Sequence, residues 1–117
     1  RVIRFEYLEK DEDVARLYQY SELFVYISSR EAFGLPPVEA ATYDVPVVVK
    51  DNDLNRELFR NAAFFVQDEK NTDEIAKAMI EGLTNQDKRQ YIKKEYHLLA
   101  EHFTWDNFVN KLFTQLL

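Results

Sequence analysis

The sequence predicts an α/β domain with a parallel sheet of about four strands, flanking helices and a helical C-terminal tail. Short apolar runs alternate with segments of helical periodicity along the first part of the chain, which is typical of parallel strands connected by helices. Two of these runs, at residues 23–28 and 45–50, are almost wholly apolar, as expected for strands that are covered on both faces. From residue 72 onward, helical periodicity alone remains.

The first part of the chain contains the predicted strands and two of the helices. Four apolar runs predict strands, at residues 2–7, 23–28, 45–50 and 63–67. Apolar residues at helical spacing predict the first helix over residues 13–21. A second helix is expected to begin near Pro36 or Pro37, because the missing N–H of proline costs nothing in a first helical turn.

The tail is predicted to form three amphipathic helices. The first has Thr72 as its expected N-cap, and its apolar face comprises Ile75, Ala76, Met79, Ile80 and Leu83. The apolar face of the second comprises Ile92, Tyr96, Leu99 and Phe103. The third, opened by Thr104, carries a stripe that must be buried against something: Trp105, Phe108, Val109, Leu112, Phe113 and Leu116.

The composition indicates one folded domain over residues 1–117 and excludes several functions. An excess of 21 acidic over 15 basic residues gives a net charge of −6, which disfavours binding to nucleic acid and anionic lipid. Four basic residues in the second tail helix are interpreted as a solvated face: Lys88, Arg89, Lys93 and Lys94. The absence of cysteine excludes disulfides and cysteine-ligated zinc. No apolar run approaches the roughly 20 residues that span a bilayer, so we expect a soluble, cytoplasmic protein.

Residues 28–51, SSREAFGLPPVEAATYDVPVVVKD, predict a ligand site at the end of a strand. A loop containing Gly34 leads into a helix N-terminus, where free amides attract anions and glycine permits close backbone approach. Glu31 and Glu39 flank this point, and carboxylates accept hydrogen bonds from hydroxyl groups. The pattern therefore favours a ligand with both phosphate and hydroxyl groups, and a nucleotide sugar is such a ligand.

The segment EAFGLPPVE, followed by PVVV, resembles the E(x7)E motif of family 4 glycosyltransferases, which have the GT-B fold of two Rossmann-like domains. The segments RELFRNAAFFVQ and HFTW are also similar to stretches of that family, as are the strand, helix and strand before the motif. The resemblance covers essentially the whole chain. It identifies residues 1–117 as a Rossmann-like donor-binding C-terminal domain, truncated at its N-terminal side.

The resemblance implies a role for each residue of the motif. Glu31 would be the catalytic residue of the segment and contact hydroxyls of the donor sugar, and Glu39 would hold the ribose hydroxyls of the nucleotide. Four residues would bring their backbone close to the sugar and its β-phosphate: Ala32, Phe33, Gly34 and Leu35. The resemblance implies transfer with retention of configuration. It separately implies no metal requirement, and no cofactor is expected beyond the UDP-, GDP- or ADP-sugar substrate.

Two departures from the family pattern concern glycine positions. Ala32 replaces the usual glycine of the loop, and Asp44 replaces the glycine that ends the following helix. Aspartate tolerates a left-handed backbone better than most residues, so we expect the turn to persist. Neither change removes a carboxylate from the predicted site.

The resemblance also implies partners that residues 1–117 do not include. The basic pair that neutralises the diphosphate and the acceptor-binding N-terminal domain precede this segment in the family, so the chain alone is expected to be inactive. Exposed sheet edges or the terminal helix could mediate self-association. The full-length enzyme would be cytoplasmic or peripheral at the inner face of the membrane.

Two alternative interpretations accompany this hypothesis. The chain could be a non-catalytic Rossmann-like association module whose glutamates are vestigial. It could also be an unrelated α/β domain such as a signalling receiver, which the lack of an acidic cluster at the end of the first predicted strand disfavours. His97 and His102 lie five residues apart on a predicted helix, a poor spacing for joint metal binding, so they are interpreted as partly exposed helix residues.

Overall fold

The computed structural model describes residues 2–5, 8, 10–27 and 35–102. Within them it has an α/β architecture, which confirms the predicted fold class. In chain order the elements are α1 (Asp11–Gln19), β1 (Phe24–Tyr26), α2 (Leu35–Thr42), β2 (Val47–Lys50), α3 (Asp53–Phe59), β3 (Phe64–Val66), α4 (Thr72–Thr84) and α5 (Gln86–His102).

The three strands form one parallel sheet in the order β1-β2-β3. Val48 is the register partner of Val25 on β1 and of Phe64 on β3, so β2 is the central strand. The side chains of Val47, Val48 and Val49 are fully buried. This burial on both faces explains why the predicted strand 45–50 reads as a continuous apolar run.

The prediction of a strand at residues 2–7 is wrong for the residues that the structure describes. Residues 2–5 form no strand, and Val2 and Ile3 are 96% and 64% exposed. An apolar run gives a tendency only, because a strand also needs a neighbour for its backbone hydrogen bonds. The other three predicted strands form. β1 and β3 are shorter than predicted at both ends, and β2 is shorter at its start only.

Asparagine side chains cap two of the helices. The Asn52 side chain accepts a hydrogen bond from the Asn55 N–H at 2.8 Å at the start of α3, and Asn71 accepts one from the Glu74 N–H at 3.1 Å at the start of α4. The N-cap of α4 is therefore Asn71 and not the predicted Thr72. Asparagine caps at least as well as threonine, and Asn71 lies one residue earlier.

The buried face of α4 differs from the predicted one. Ala78 and Gly82 are buried, whereas Ile80 is 63% exposed and Met79 and Leu83 are also exposed. A Cβ atom at Gly82 would lie 2.7 Å from Cδ1 of Leu23. Small residues thus let α4 pack closely on the segment before β1. Of the predicted apolar face, Ile75 is half-buried and does pack against the core.

The buried face of α5 is predicted correctly at Ile92 and Tyr96 and incorrectly at Arg89. Ile92 is fully buried and Tyr96 nearly so, but Arg89 is only 6% exposed. Its guanidinium donates hydrogen bonds to the carbonyl oxygens of Glu22 at 2.9 Å and Gly82 at 2.6 Å. Arg89 therefore joins α5 to the end of α4 and to the segment before β1. Phe103 and the predicted third tail helix lie outside the described residues.

Candidate functional site

The predicted site lies where parallel strands end and α2 begins. β1 and β2 are parallel, so their carboxyl ends meet at one edge of the sheet. α2 begins at Leu35, one residue before the predicted Pro36, and connects this edge to β2. Four residues of the predicted site, Glu31, Ala32, Phe33 and Gly34, lie outside the described residues, so their roles stay predictions.

The packing of α2 determines which of its faces is accessible. Pro37 and Ala40 are fully buried, and the helix packs on β1 and β2. Glu39, in the second turn, is exposed. Because Pro37 and Ala40 fix the rotation of the helix against the sheet, Glu39 is held on the side that solvent and ligands can reach.

Tyr18 contacts the Glu39 carboxylate across the gap between α1 and α2. The Tyr18 hydroxyl donates a hydrogen bond to Oε2 of Glu39 at 3.2 Å. Burial and the neighbouring Glu39 charge raise the pKa of Tyr18 to about 12. The hydroxyl, which is protonated near neutral pH as in any tyrosine, therefore remains a hydrogen-bond donor well into the alkaline range.

An aromatic cluster holds Tyr18 in place. Its ring is stacked on Tyr43, with centroids 5.6 Å apart and an angle of 13° between the planes. It meets Phe24 of β1 in a tilted arrangement at 5.4 Å, and Phe24 in turn stacks on Tyr26 at 6.0 Å. Aromatic contacts of this kind are favourable beyond the area that they bury, so they anchor the end of α1 beside α2.

The turn after α2 has the backbone conformation expected at Asp44. Its φ angle is 61°, in the left-handed region where the family pattern has glycine. The Asp44 carboxylate also lies 3.0 Å from Nε2 of His97 on α5. His97 is an exposed helix residue, as predicted, but its contact with Asp44 was not predicted because 53 residues separate the two.

A second polar cluster, which was not predicted from the sequence, lies at the end of β2. Asp51 accepts two hydrogen bonds from Arg56, from Nε at 2.7 Å and from Nη2 at 2.8 Å. The Gln67 side-chain amide also donates to this carboxylate, and the Arg56 guanidinium lies 3.7 Å from the centroid of the Phe65 ring. The sequence feature that could have indicated this cluster is Asp51, an acidic residue directly after a buried strand. Because the Arg56 guanidinium already contacts Asp51 and Phe65, we interpret this cluster as stabilising the fold and not as binding a ligand.

The Asp51 carboxylate predicts a pH-dependent contribution to stability. The hydrogen bonds from Arg56, and then that from Gln67, lower the pKa of Asp51 from its ordinary 3.8 to about 2. A carboxyl with a lowered pKa stabilises the folded state above its unfolded pKa, and this stabilisation is lost as the pH falls from about 4 through about 2. Since Arg56 is 45% exposed and solvent screens the pair, the contribution should be about 1 kcal/mol or less.

The test compares urea unfolding of the wild type and Asp51→Asn at several pH values between 7 and 2. We expect the variant to be less stable at pH 7, with a difference that narrows below about pH 4. Other carboxyl groups titrate in both proteins and cancel in the comparison. A difference that stays constant down to pH 2 would contradict the assigned pKa.

The fold and the candidate site are those of a nucleotide-binding α/β class of protein. They form a Rossmann-like α/β unit in which a helix bearing an exposed carboxylate begins at the carboxyl edge of a parallel sheet. The family model for glycosyl transferases group 1 matches residues 1–97. The chain therefore belongs to the group 1 glycosyl transferases, and the resemblance to glycosyltransferases is confirmed.

Several curated relatives are named as mannosyltransferases. The serotype-specific mannosyltransferase WbdA of Escherichia coli is 34% identical over 95 residues, which cover 81% of this chain and 11% of the relative. The O-antigen chain mannosyltransferase B of Escherichia coli is 32% identical over 105 residues, covering 90% of this chain and 27% of the relative. The O-antigen chain mannosyltransferase RfbU of Salmonella typhimurium is 40% identical over 50 residues, which cover 43% of this chain and 14% of the relative.

The chain spans about a tenth of WbdA and about a quarter of the mannosyltransferase B. No solved structure matches it. Among the described residues, no helix combines the length and the apolar character needed to cross a membrane.

Proposed function

We propose that this chain supplies the donor-binding site of a retaining glycosyltransferase that transfers a sugar from a nucleotide sugar to a growing glycan. The observation that carries the proposal is the placement of Glu39. It is exposed on a helix that begins at the carboxyl edge of the sheet, and its helix is fixed by the buried Pro37 and Ala40. A carboxylate at this place can accept hydrogen bonds from vicinal hydroxyls such as those of ribose.

The proposed division of roles follows the order of the motif. Glu31 contacts the hydroxyls of the donor sugar, and the backbone from Ala32 to Leu35 approaches the sugar and the β-phosphate. The N-terminal end of α2 stabilises the charge that develops on the nucleoside diphosphate as the glycosidic bond breaks. Glu39 holds the ribose, and the acceptor binds to a separate N-terminal domain.

The names of the relatives support a narrower proposal for the substrates. They are described as mannosyltransferases, two of them acting on O-antigen chains. We therefore propose mannose as the sugar, a UDP, GDP or ADP carrier, and a polysaccharide precursor as acceptor. The proposed location is cytoplasmic, peripheral to the inner face of the membrane.

Glu39→Ala is expected to weaken nucleotide binding while leaving the fold intact. Hydrogen bonds to a charged group contribute about 1.5–3 kcal/mol, so affinity should fall by about 10- to 100-fold. The melting temperature should change little, because Glu39 is exposed. The measurement is a ligand-detected NMR titration of UDP, GDP, ADP and their mannose conjugates with the natural full-length chain that carries residues 1–117.

Glu81→Ala is the matched control, because Glu81 is also an exposed helical glutamate and lies on α4. It should bind nucleotide like the wild type. If the wild type binds none of the nucleotides at millimolar concentration, the donor-site proposal is wrong and the association module with vestigial glutamates is favoured instead.

A further inference from the structure

We propose that Tyr18 is a positioning residue for the donor site, acting by holding the Glu39 carboxylate in the orientation that receives the nucleotide ribose. The inference rests on the proposed function, because it assumes that Glu39 binds ribose. It adds a residue from α1, outside the E(x7)E segment, to the machinery of nucleotide recognition.

The hydrogen bond between the two side chains uses only part of the acceptor capacity of the Glu39 carboxylate. Tyr18 donates to Oε2 of Glu39. A carboxylate has two acceptor oxygens and about four lone-pair sites, so Glu39 can accept ligand hydroxyls while it also accepts from Tyr18. The contact therefore orients Glu39 without consuming its capacity to bind.

The Tyr18 side chain is itself well fixed. It is half-buried between Tyr43, which stacks on it, and Phe24 of the sheet. The ring of a tyrosine is placed by two side-chain torsions, so these two contacts define where its hydroxyl oxygen lies. Like any tyrosine hydroxyl it is protonated near neutral pH, so it donates to the Glu39 carboxylate.

Orientation matters because an exposed glutamate is otherwise free to rotate. A long side chain loses rotamer freedom when it binds a ligand, and this loss lowers affinity. A side chain that is already ordered in the free protein avoids most of the loss. Tyr18 should thus strengthen recognition of the ribose hydroxyls in particular.

The decisive measurement is the preference for ribose over deoxyribose. Dissociation constants are compared for the best-bound nucleoside diphosphate and its 2′-deoxy and 3′-deoxy forms, using the natural full-length chain that carries residues 1–117. The wild type should prefer the ribonucleotide by about tenfold, Tyr18→Phe by about threefold, and Glu39→Ala hardly at all. Tyr18→Phe keeps the ring and its stacking, so the melting temperature should be unchanged.

Two further variants separate positioning from a general structural effect. Tyr43→Phe removes a hydroxyl from the stacked ring that donates no hydrogen bond to Glu39, and it should behave like the wild type. Tyr18→Phe in the Glu39→Ala background should have no additional effect. A merely structural role would weaken binding of the ribo and deoxy forms equally and leave their ratio unchanged.

The possible results distinguish the positioning role of Tyr18 from the ribose-binding role of Glu39 on which it depends. If Glu39→Ala abolishes the ribose preference and Tyr18→Phe leaves it intact, the inference about Tyr18 is wrong and the donor site stands. If the wild type shows no ribose preference and Glu39→Ala has no effect, the proposed role of Glu39 is wrong, and the role of Tyr18 is overturned with it.

Discussion

Arg89→Ala is expected to lower the free energy of unfolding by about 2–4 kcal/mol, one of the two largest effects that we predict for a single substitution. The Arg89 side chain is almost wholly buried and satisfies two backbone carbonyls, of Glu22 and Gly82. Truncation to alanine leaves both carbonyls without this donor and opens a cavity. A buried polar group that loses its partner costs about 1–3 kcal/mol.

The ion pair with the Glu22 side chain contributes much less than these backbone contacts. The Glu22 carboxylate is 3.2 Å from Arg89 but 80% exposed. Exposed partners of this kind contribute about 0–1 kcal/mol, because water screens the charge. Glu22→Ala should therefore lower the free energy of unfolding only slightly. This result would show that Arg89 stabilises the fold through its hydrogen bonds to backbone carbonyls more than through its ion pair.

Urea unfolding monitored by circular dichroism measures these differences, and Lys93→Ala is the matched control. Lys93 is a basic residue of the same helix and is exposed, so its variant should lie within about 0.5 kcal/mol of the wild type. The stability of Arg89→Lys should lie between those of Arg89→Ala and the wild type. Lysine retains the charge but lacks the planar guanidinium that reaches two acceptors. Equal stabilities of Arg89→Ala and Lys93→Ala would show that Arg89 is solvated, as the sequence suggested.

The sheet and the start of α2 were predictable because local signals specify them. The central strand is buried on both faces, so its sequence is continuously apolar over Val47 to Val49. The proline pair favours a first helical turn, and the described part of α2 begins at Leu35, next to it. The exposed position of Glu39 follows from that helix and its buried neighbours.

The contacts that complete the site were not predictable because they join distant segments. Tyr18 and Glu39 are 21 residues apart, and nothing local to either indicates the other. Asp51 and Arg56 are five apart, which is not a spacing that pairs side chains on one helix. The basic residues around Arg89 likewise predict that its side chain is exposed to solvent. Only the packed structure reveals the carbonyl oxygens of Glu22 and Gly82 to which it donates.

The apolar faces of α4 and α5 provide the second large prediction. Ile92→Ala on α5 is expected to lower the free energy of unfolding by about 2–5 kcal/mol, because Ile92 is fully buried in the core and its truncation leaves a cavity. Ile92→Val, which removes one methylene group, should cost about 0.5–1.5 kcal/mol.

Ile80→Ala on α4 makes the same chemical change at a position that is 63% exposed. It should alter stability by no more than about 0.5 kcal/mol, since little packing is lost and alanine is the better helix former. Helical periodicity alone predicts that both isoleucines are buried and that both substitutions are costly. The structure predicts a large loss of stability for Ile92→Ala only, so comparing the two losses tests the structure against the periodicity. Comparable losses in urea unfolding would mean that α4 presents Ile80 to a packed surface and that Ala78 and Gly82 do not define its buried face.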